Sequence, residues 1–556
     1  MDNIPLLSLL FLTLPVGAAL AWLLPRPESS RVIALACALI DLVIALVALF
    51  VFDPNTPGFQ LLEKRNWIPS LNIHYLVGVD GISITFLPAA VLLFIGVILA
   101  SWNSIHTLPR LYYSLLMLLE TATLGVFCAL DSVLFFLFWE FTLIPLYFLV
   151  SLWGIGPNRR HAAMKYTLVM LAGGVPLLFG ILLLAFGASS GGTLAFDLPT
   201  LLKTPLPIGT QYVVFLLLLI GFSVKIPVFP LHTWLPLIAM EGPASVAALL
   251  TGMKLGAYGL IRFAVPLAPT AARELHWLLA LLGVVTILYG AAAALAQTNL
   301  RRMLAYASLS HVGLVVLGIA SFNLQGMQGA VLQLLNFTLA AGGLFLLTAH
   351  LHHRIGSTDI ANLGGASRTM PWLASFFLLY GLAGMGLPGT SGFPAELLIL
   401  MSTFERHAGA GLAALAGMAL GAAYFLGIYR RAFFGPATQT AVLAAEDLRP
   451  REFWLALAFA LLIILFWMIW PQPATAQEAT PTPEAFTPAP GGTELPGSPT
   501  PVVSGISDPK EGAILSGQVA ISGVAANAWD LSFAYKDDAT GTWFPLASGS
   551  APVTGV

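Results

Sequence analysis

Charge is what this sequence has least of. Only 9% of its 556 residues are Asp, Glu, Lys or Arg, against about a quarter in soluble domains. Hydrophobic residues make up 58%, and the mean hydropathy is +0.87. Apolar runs this long cannot be covered by so little polar surface, so lipid must be the solvent. Cysteine is nearly absent as well: Cys37 and Cys128 are the two. That excludes a disulfide framework, and it excludes an iron–sulfur cluster, which needs four thiolates. The ten histidines show no HExxH and no clustered metal-ligand spacing, and His352 and His353 read as solvated loop residues. A glycine loop to cradle phosphate and a basic stripe for nucleic acid are both missing. The chain is therefore expected to carry no metal and no redox cofactor of its own. Its N-terminus, Met1-Asp2-Asn3-Ile4-Pro5, lacks the basic region of a signal peptide, so the first apolar run reads as a retained span.

What is present is a series of apolar segments near the roughly 20 residues that cross a bilayer. About fourteen are expected, at 4–24, 32–52, 82–101, 111–129, 132–151, 166–187, 211–230, 244–266, 276–297, 303–321, 327–350, 372–392, 411–434 and 453–470. A break near Gly386-Leu387-Pro388-Gly389 would let the twelfth continue as a half-helix to about 404. The expected fold class is an all-α polytopic membrane protein with two broken helices in inverted repeats and a small C-terminal β-rich extension. Three regions follow: a transmembrane domain over 1–470, a linker over 471–500 with eight prolines, and a β-rich module over 501–556. The β pattern in the module runs through Val519, Ile521, Leu531, Phe533, Tyr535, Trp543 and Phe544.

With the N-terminus outside, one set of loops carries fourteen Lys and Arg (Arg26, Arg31, Arg110, Arg159, Arg160, Lys165, Arg301, Arg302, Arg354, Arg368, Arg430, Arg431, Arg449, Arg451). The opposite set carries five (Lys64, Arg65, Lys203, Arg273, Arg406). The positive-inside rule then places both termini outside the cytoplasm.

An ionisable residue inside a span costs about 2.5–3.5 kcal/mol on insertion scales and is a functional candidate by default. Glu120, Glu140, Lys225, Lys254 and Glu396 all fall in apolar runs. Lys225 precedes Pro227 and Pro230; Glu396 follows Pro388, Gly389, Gly392 and Pro394. Proline breaks a helix, and a break in lipid is tolerated only inside protein or beside a water-filled cavity. Paired broken helices with ionisable residues are a mark of ion pathways. Glu140 to Lys225 spans 85 positions, and His311 to Glu396 spans 85 as well. Desolvation disfavours the charged form of either group and a nearby opposite charge favours it. A Glu–Lys pair able to separate is thus a proton switch, with His311 and Lys254 relaying along the midplane. The bland alternative is a static ion pair that fixes helix packing. For Glu120 and His232, packing and proton handling weigh equally; Asp41 reads as structural or interfacial and Asp131 as a helix cap.

The strings LLETATLGVFCALDSVLFFLFWEFTLIPLYFLV, VKIPVFPLHTWLP, LLTGMKLGAYGLIRF, AQTNLRRMLAYASLSHVG, GLPGTSGFPAELLIL, YRRAFFGP and YLVGVDGIS resemble the M subunit of respiratory complex I, the mitochondrial subunit 4 equivalent, over about residues 1–473. The resemblance implies a proton-translocating, antiporter-like subunit of an NADH:quinone oxidoreductase. It matches Glu140, Lys225, Lys254 and Glu396 to the family's principal charges, with Glu120, His311 and His232 auxiliary. It also implies flavin, iron–sulfur clusters and quinone on partner chains, L- and N-type neighbours, and a bacterial-type cell membrane. The chain departs from the family at Leu237, Ile238 and Ala239, where an acidic residue usually begins the run; at Phe337, in place of a polar relay residue; at Asn299, for a common Asp; and at Arg301, for a common Lys. The alternatives are a subunit of a multi-subunit cation/proton antiporter, the membrane arm of a hydrogenase, and a non-pumping structural paralogue.

Overall fold

The computed structural model describes residues 5–189, 193–437 and 439–469, with four short strands beyond them at 505–508, 522–524, 531–536 and 543–549. Two compact units are present, Met1–Gln472 and Pro473–Val556.

The first unit opens with α1 (Leu6–Leu23) and α2 (Ser29–Val51), then a hairpin of β1 (Gln60–Ile68) and β2 (Ile73–Val79). Next come α3 (Ser83–Ser101), α4 (Pro109–Cys128), α5 (Ser132–Phe141), α6 (Leu143–Trp153), α7 (Arg159–Gly187), the short α8 (Leu198–Lys203), α9 (Ile208–Lys225) and α10 (Trp234–Glu241). The middle of the chain holds α11 (Ala244–Gly252), α12 (Leu255–Gly259), α13 (Val265–Leu267), α14 (Pro269–Glu274), α15 (His276–Leu295) and α16 (Leu300–Ala320). The series ends with α17 (Leu324–Asn336), α18 (Gly342–Ile355), α19 (Pro371–Gly384), α20 (Gly392–Arg406), α21 (Ala408–Phe433), α22 (Thr440–Leu443) and α23 (Pro450–Ile469). Taking α5–α6, α11–α13 and α17–α18 each as one span, thirteen helices among the described residues are long and apolar enough to cross a membrane. The fourteen residues of α19 reach only about 21 Å, and α20 continues beyond the break.

Burial sorts the spans. In α4, α11–α13, α16 and α17–α18, 83–89% of the apolar window is buried, whereas α1, α2 and α23 bury 33–39%. Of the candidate residues, Glu120, Lys254 and His311 fall on the interior set. Small residues let these helices approach: a Cβ on Gly290 of α15 would lie 2.6 Å from the Ser310 amide of α16, and one on Gly313 would lie 2.7 Å from Gly283 O.

Two helices are broken where the prolines and glycines stand. Between α9 and α10 the Val224 carbonyl takes the Trp234 Nε1–H at 2.9 Å, and the Phe229 amide donates to Thr286 Oγ1 at 3.1 Å. Between α19 and α20, Gly386 and Gly389 take positive φ of 65° and 92°. At the second break the Ser391 amide donates to Ile463 O at 3.0 Å and the Ala383 carbonyl accepts from Asn336 Nδ2 at 3.4 Å, so at both breaks backbone groups are met inside protein, as lipid requires. The two halves also share a capping device. Asp131 caps α5 through the Val133 and Leu134 amides (2.9 and 3.1 Å) and forms a β-bridge with Asp197; Asn299 caps α16 through the Arg301 and Arg302 amides (3.0 and 3.4 Å) and bridges Asp359. The capped helices open the fifth and the tenth spans, an odd offset, so the two halves enter the bilayer from opposite sides.

Three features were not anticipated. The hairpin occupies what reads as a plain loop; it is tied down by Leu130 N to Leu76 O (2.9 Å) and His74 N to Asp131 Oδ2 (3.0 Å). A third helix unwinds at Met253-Lys254, and π turns occur at Leu260–Ala264 and Phe337–Ala341. His352 and His353 belong to the last turn of α18 rather than to a loop, because helical geometry continues until Gly356 adopts φ 77°.

In the second unit β3 (Gly505–Asp508) pairs antiparallel with β4 (Ser522–Val524), and β5 (Leu531–Lys536) with β6 (Trp543–Gly549). Leu531, Phe533, Tyr535, Trp543 and Phe544 fall on these strands; residues 471–500, Val519 and Ile521 lie outside the described residues.

Candidate functional site

Lys225 is the last residue of α9, and the prolines after it end the helix there. Its Nζ donates to Trp139 O at 3.0 Å and to Thr142 Oγ1 at 2.9 Å, and stands 3.9 Å from the centroid of the Trp139 ring. Both acceptors stand where α5 gives way to α6, and the Thr142 hydroxyl itself donates to Trp139 O at 2.8 Å. Lys225 makes no ion pair with Glu140: those within 4.0 Å among the described residues join Arg31–Glu28, Arg262–Asp80, His350–Glu452 and Arg354–Glu452. Both Glu140 carboxyl oxygens are buried without a hydrogen-bond partner. They rest on Gly174 of α7, where any Cβ would collide with Oε1. The lysine is held by neutral oxygens and a π face while its carboxylate stands apart.

A cavity of about 40 Å³ opens from Lys225, lined also by Thr142, Tyr166, Trp234, Met253 and Leu255. One water needs about 10–15 Å³ measured this way, so two or three fit. Met253 and Leu255 flank Lys254, which sits in the unwound stretch between α11 and α12 and donates to Ser308 Oγ at 2.7 Å. A second cavity, about 30 Å³, is lined by Ser308, His311, Asn336, Phe337 and Tyr424. Phe337 is near both groups, 6.0 Å from Lys254 Nζ to its ring centroid and 6.0 Å from the His311 ring. Ser308 and His311 are one turn apart on α16, so a hydroxyl passes around the phenyl ring.

Glu396 is the fifth residue of α20, one turn past the break. Its Oε1 accepts from Gln333 Nε2 at 3.3 Å, and Gly386, at positive φ, leaves room for Oε2. Asn336 donates to Gln333 Oε1 (3.3 Å) and accepts from Ser391 Oγ (2.8 Å), so it links Glu396 to the His311 cavity. The structure therefore brings Glu140, Lys225, Lys254, His311 and Glu396 into one sequence of polar groups and cavities. It leaves two candidates off that line. His232 packs between the Phe229 and Tyr289 rings at 5.7 and 4.8 Å. Glu120 is fully buried on α4 with neither oxygen partnered. Missed from the sequence were Trp139, Thr142, Ser308 and Gln333. They are common residues in apolar runs, and only the distances single them out. Among the described residues no cluster of three His, Cys, Asp or Glu could hold a metal ion.

The family described as NADH:quinone oxidoreductase/Mrp antiporter, TM, matches residues 129–421. The chain is 39% identical over 484 residues to NAD(P)H-quinone oxidoreductase chain 4 1 of Synechococcus sp. (strain JA-3-3Ab), covering 85% of this chain and 91% of that one. It is 35% identical over 435 residues to NADH-quinone oxidoreductase subunit M of Rhodobacter capsulatus, covering 76% and 84%. A chain of respiratory complex I from Thermus thermophilus superimposes with a TM-score of 0.75 at 32% identity, over 83% of this chain and 95% of that one. A chain of the Mrp complex from Dietzia sp. DQ12-45-1b gives 0.70 at 24% identity, over 83% and 49%, and shares the fold. This chain belongs to the NADH:quinone oxidoreductase/Mrp antiporter transmembrane family.

Proposed function

We infer that this chain is the antiporter-like, proton-translocating membrane-arm subunit of a complex-I-type quinone oxidoreductase. The observation that supports the reading is the succession, inside the bundle, of Glu140, Lys225 with its cavity, Lys254 bonded to Ser308, a second cavity with His311 and Asn336, and Gln333 bonded to Glu396, with Lys225, Lys254 and Glu396 close to helix breaks. Such charges cost too much in lipid to persist as packing alone. The relatives named as chain 4 and subunit M supply the assembly.

In this mechanism Lys225 has two positions. On Trp139 O and Thr142 Oγ1 it is held apart from Glu140; swung to the carboxylate it would be paired and charged. Moving the partner carboxylate changes how readily the lysine releases its proton, which passes through the water-sized cavity towards Lys254 and on by Ser308 and His311 to Glu396. Moving one charge against 100 mV takes about 2.3 kcal/mol, a free energy that the separation of a buried ion pair can supply. The driving reaction is placed on other chains: flavin, iron–sulfur clusters and quinone on partners, L- and N-type subunits as neighbours. We place the assembly in a bacterial-type cell membrane with both termini outside the cytoplasm, on the fourteen-to-five division of basic residues between the two loop sets.

Purification in mild detergent through a C-terminal tag tests the assembly. Co-purifying flavin and iron–sulfur chains with donor:quinone activity are expected, and the donor accepted would define the complex. Small membrane subunits without redox centres, together with sodium-dependent proton exchange, would assign the chain to a cation/proton antiporter instead.

A further inference from the structure

Outside the line of charges, two more carboxyl groups are buried in the bundle. Asp41 is in the middle of α2 and Glu120 in the middle of α4; each is 0% exposed, neither Glu120 oxygen has a hydrogen-bond partner, and Asp41 has only the Thr13 hydroxyl beside it, without a well-formed hydrogen bond. Gly17 of α1 fixes where these helices meet. A Cβ there would collide with Cys37 Sγ on α2 and lie 3.2 Å from Met117 Sδ on α4. Asp41 is one turn beyond Cys37, and Glu120 is one turn beyond Met117. As second and fourth spans, α2 and α4 run in the same direction, so both carboxyls lie one turn beyond Gly17. Helix α1 runs the opposite way, which brings Thr13, one turn before Gly17, to the same level. The Thr13 hydroxyl donates to Leu9 O (2.9 Å).

The surrounding elements offer no counter-charge. Helices α1 and α3 contain no Lys or Arg. Arg31 of α2 and Arg110 of α4 are each ten residues before the acid, about 15 Å along the helix. Cys37, the titratable group one turn before Asp41, is a neutral thiol at ordinary pH. An unpaired ionised carboxylate buried this fully is far more costly than a neutral one, and two of them side by side repel. Glu120 is also one turn from Thr123, which lines the Lys225 cavity.

We propose that Asp41 and Glu120 form a buried acid pair that holds at least one proton at neutral pH and exchanges it with the Lys225 cavity, a proton-binding site beside the main path. Its ligand is the proton alone. The pair would keep a proton in reserve at the level of the switch, on the side of the bundle that α1 and α2 close off. That last role rests on the pathway proposed above, whereas the protonation and its exchange do not.

The test is infrared spectroscopy of the intact complex as native protein, D41N, E120Q and the double variant, in H2O and after transfer to D2O. Native-minus-double spectra are expected to show a protonated-carboxyl carbonyl band that shifts in each single variant and moves to lower frequency within minutes in D2O. If the double variant does not assemble, the native-minus-single spectra carry the same information. No protonated-carboxyl difference between native and variants would overturn the proposal, and so would a band that D2O leaves in place for hours. Neither result bears on Glu140 and Lys225, whose own variants are read by proton translocation.

Discussion

Lys225 shows how a cation is kept in an apolar interior without a salt bridge. Its two hydrogen bonds and the Trp139 ring replace water with fixed oxygens and a π face, at 2.9, 3.0 and 3.9 Å. A hydrogen bond to a charged group contributes about 1.5–3 kcal/mol. Thr142→Val keeps the side-chain shape and removes one acceptor, so it should shift the lysine out of this position by tenfold or more. Slower proton translocation by a fully assembled complex is the expected reading; native rates would mean that the position is not used. Gly174→Ala acts on the other partner. A methyl group there meets Glu140 Oε1 directly, and overpacking of a tight interior costs about 1–3 kcal/mol. We expect lower proton translocation and a lowered melting midpoint from that substitution; an unchanged variant on both counts would show that the carboxylate does not rest where the structure puts it.

At the scale of elements, the helix caps can be tested separately from the charges. Asp131→Ala removes the cap of α5 and the acceptor of the His74 amide, a loss of about 0.5–2 kcal/mol for the cap alone. Thermal unfolding of the solubilised complex should show it. Asn299→Asp, by contrast, keeps the capping oxygen but replaces the Nδ2–H that donates to Asp359 Oδ1 at 2.6 Å with a second carboxylate oxygen, so it should lower the melting midpoint through that repulsion rather than through the cap. The same elements show what could be read in advance. Five charges in apolar runs and two Pro/Gly breaks are visible in any hydropathy trace, because lipid tolerates neither without a reason. The unwinding at Lys254 was not visible, since no proline stands within it. Nor were the π turns, although Pro266, which cannot donate to Arg262 O, stands two residues past the first of them. The hairpin was hidden as well: its strand β1 reads Gln-Leu-Leu-Glu-Lys-Arg-Asn-Trp-Ile, without clean alternation, and its corner depends on Asn72 at φ 56°. Phe337 reads as the loss of a relay position; Ser308, which accepts from Lys254 Nζ at 2.7 Å, lines the same cavity as Phe337 and His311, and that placement depends on where α16 packs against Lys254.

At the scale of the whole molecule, the inverted halves make the orientation testable. Cys37 and Cys128 are both buried, so a single added cysteine would be the only reactive thiol among the described residues. Asn55→Cys, before the hairpin, should react with an impermeant maleimide added to intact cells, and Arg160→Cys should react only after the membrane is opened; the reverse pattern would invert the proposed topology. The central claim is that the chain moves protons through Lys225 and Glu140. The most direct test is the number of protons translocated per electron by complexes carrying Lys225→Ala or Glu140→Gln, compared with native complex at matched assembly. A lower ratio in each variant, with the redox partners still present, is the predicted result; a native ratio in both would contradict the account.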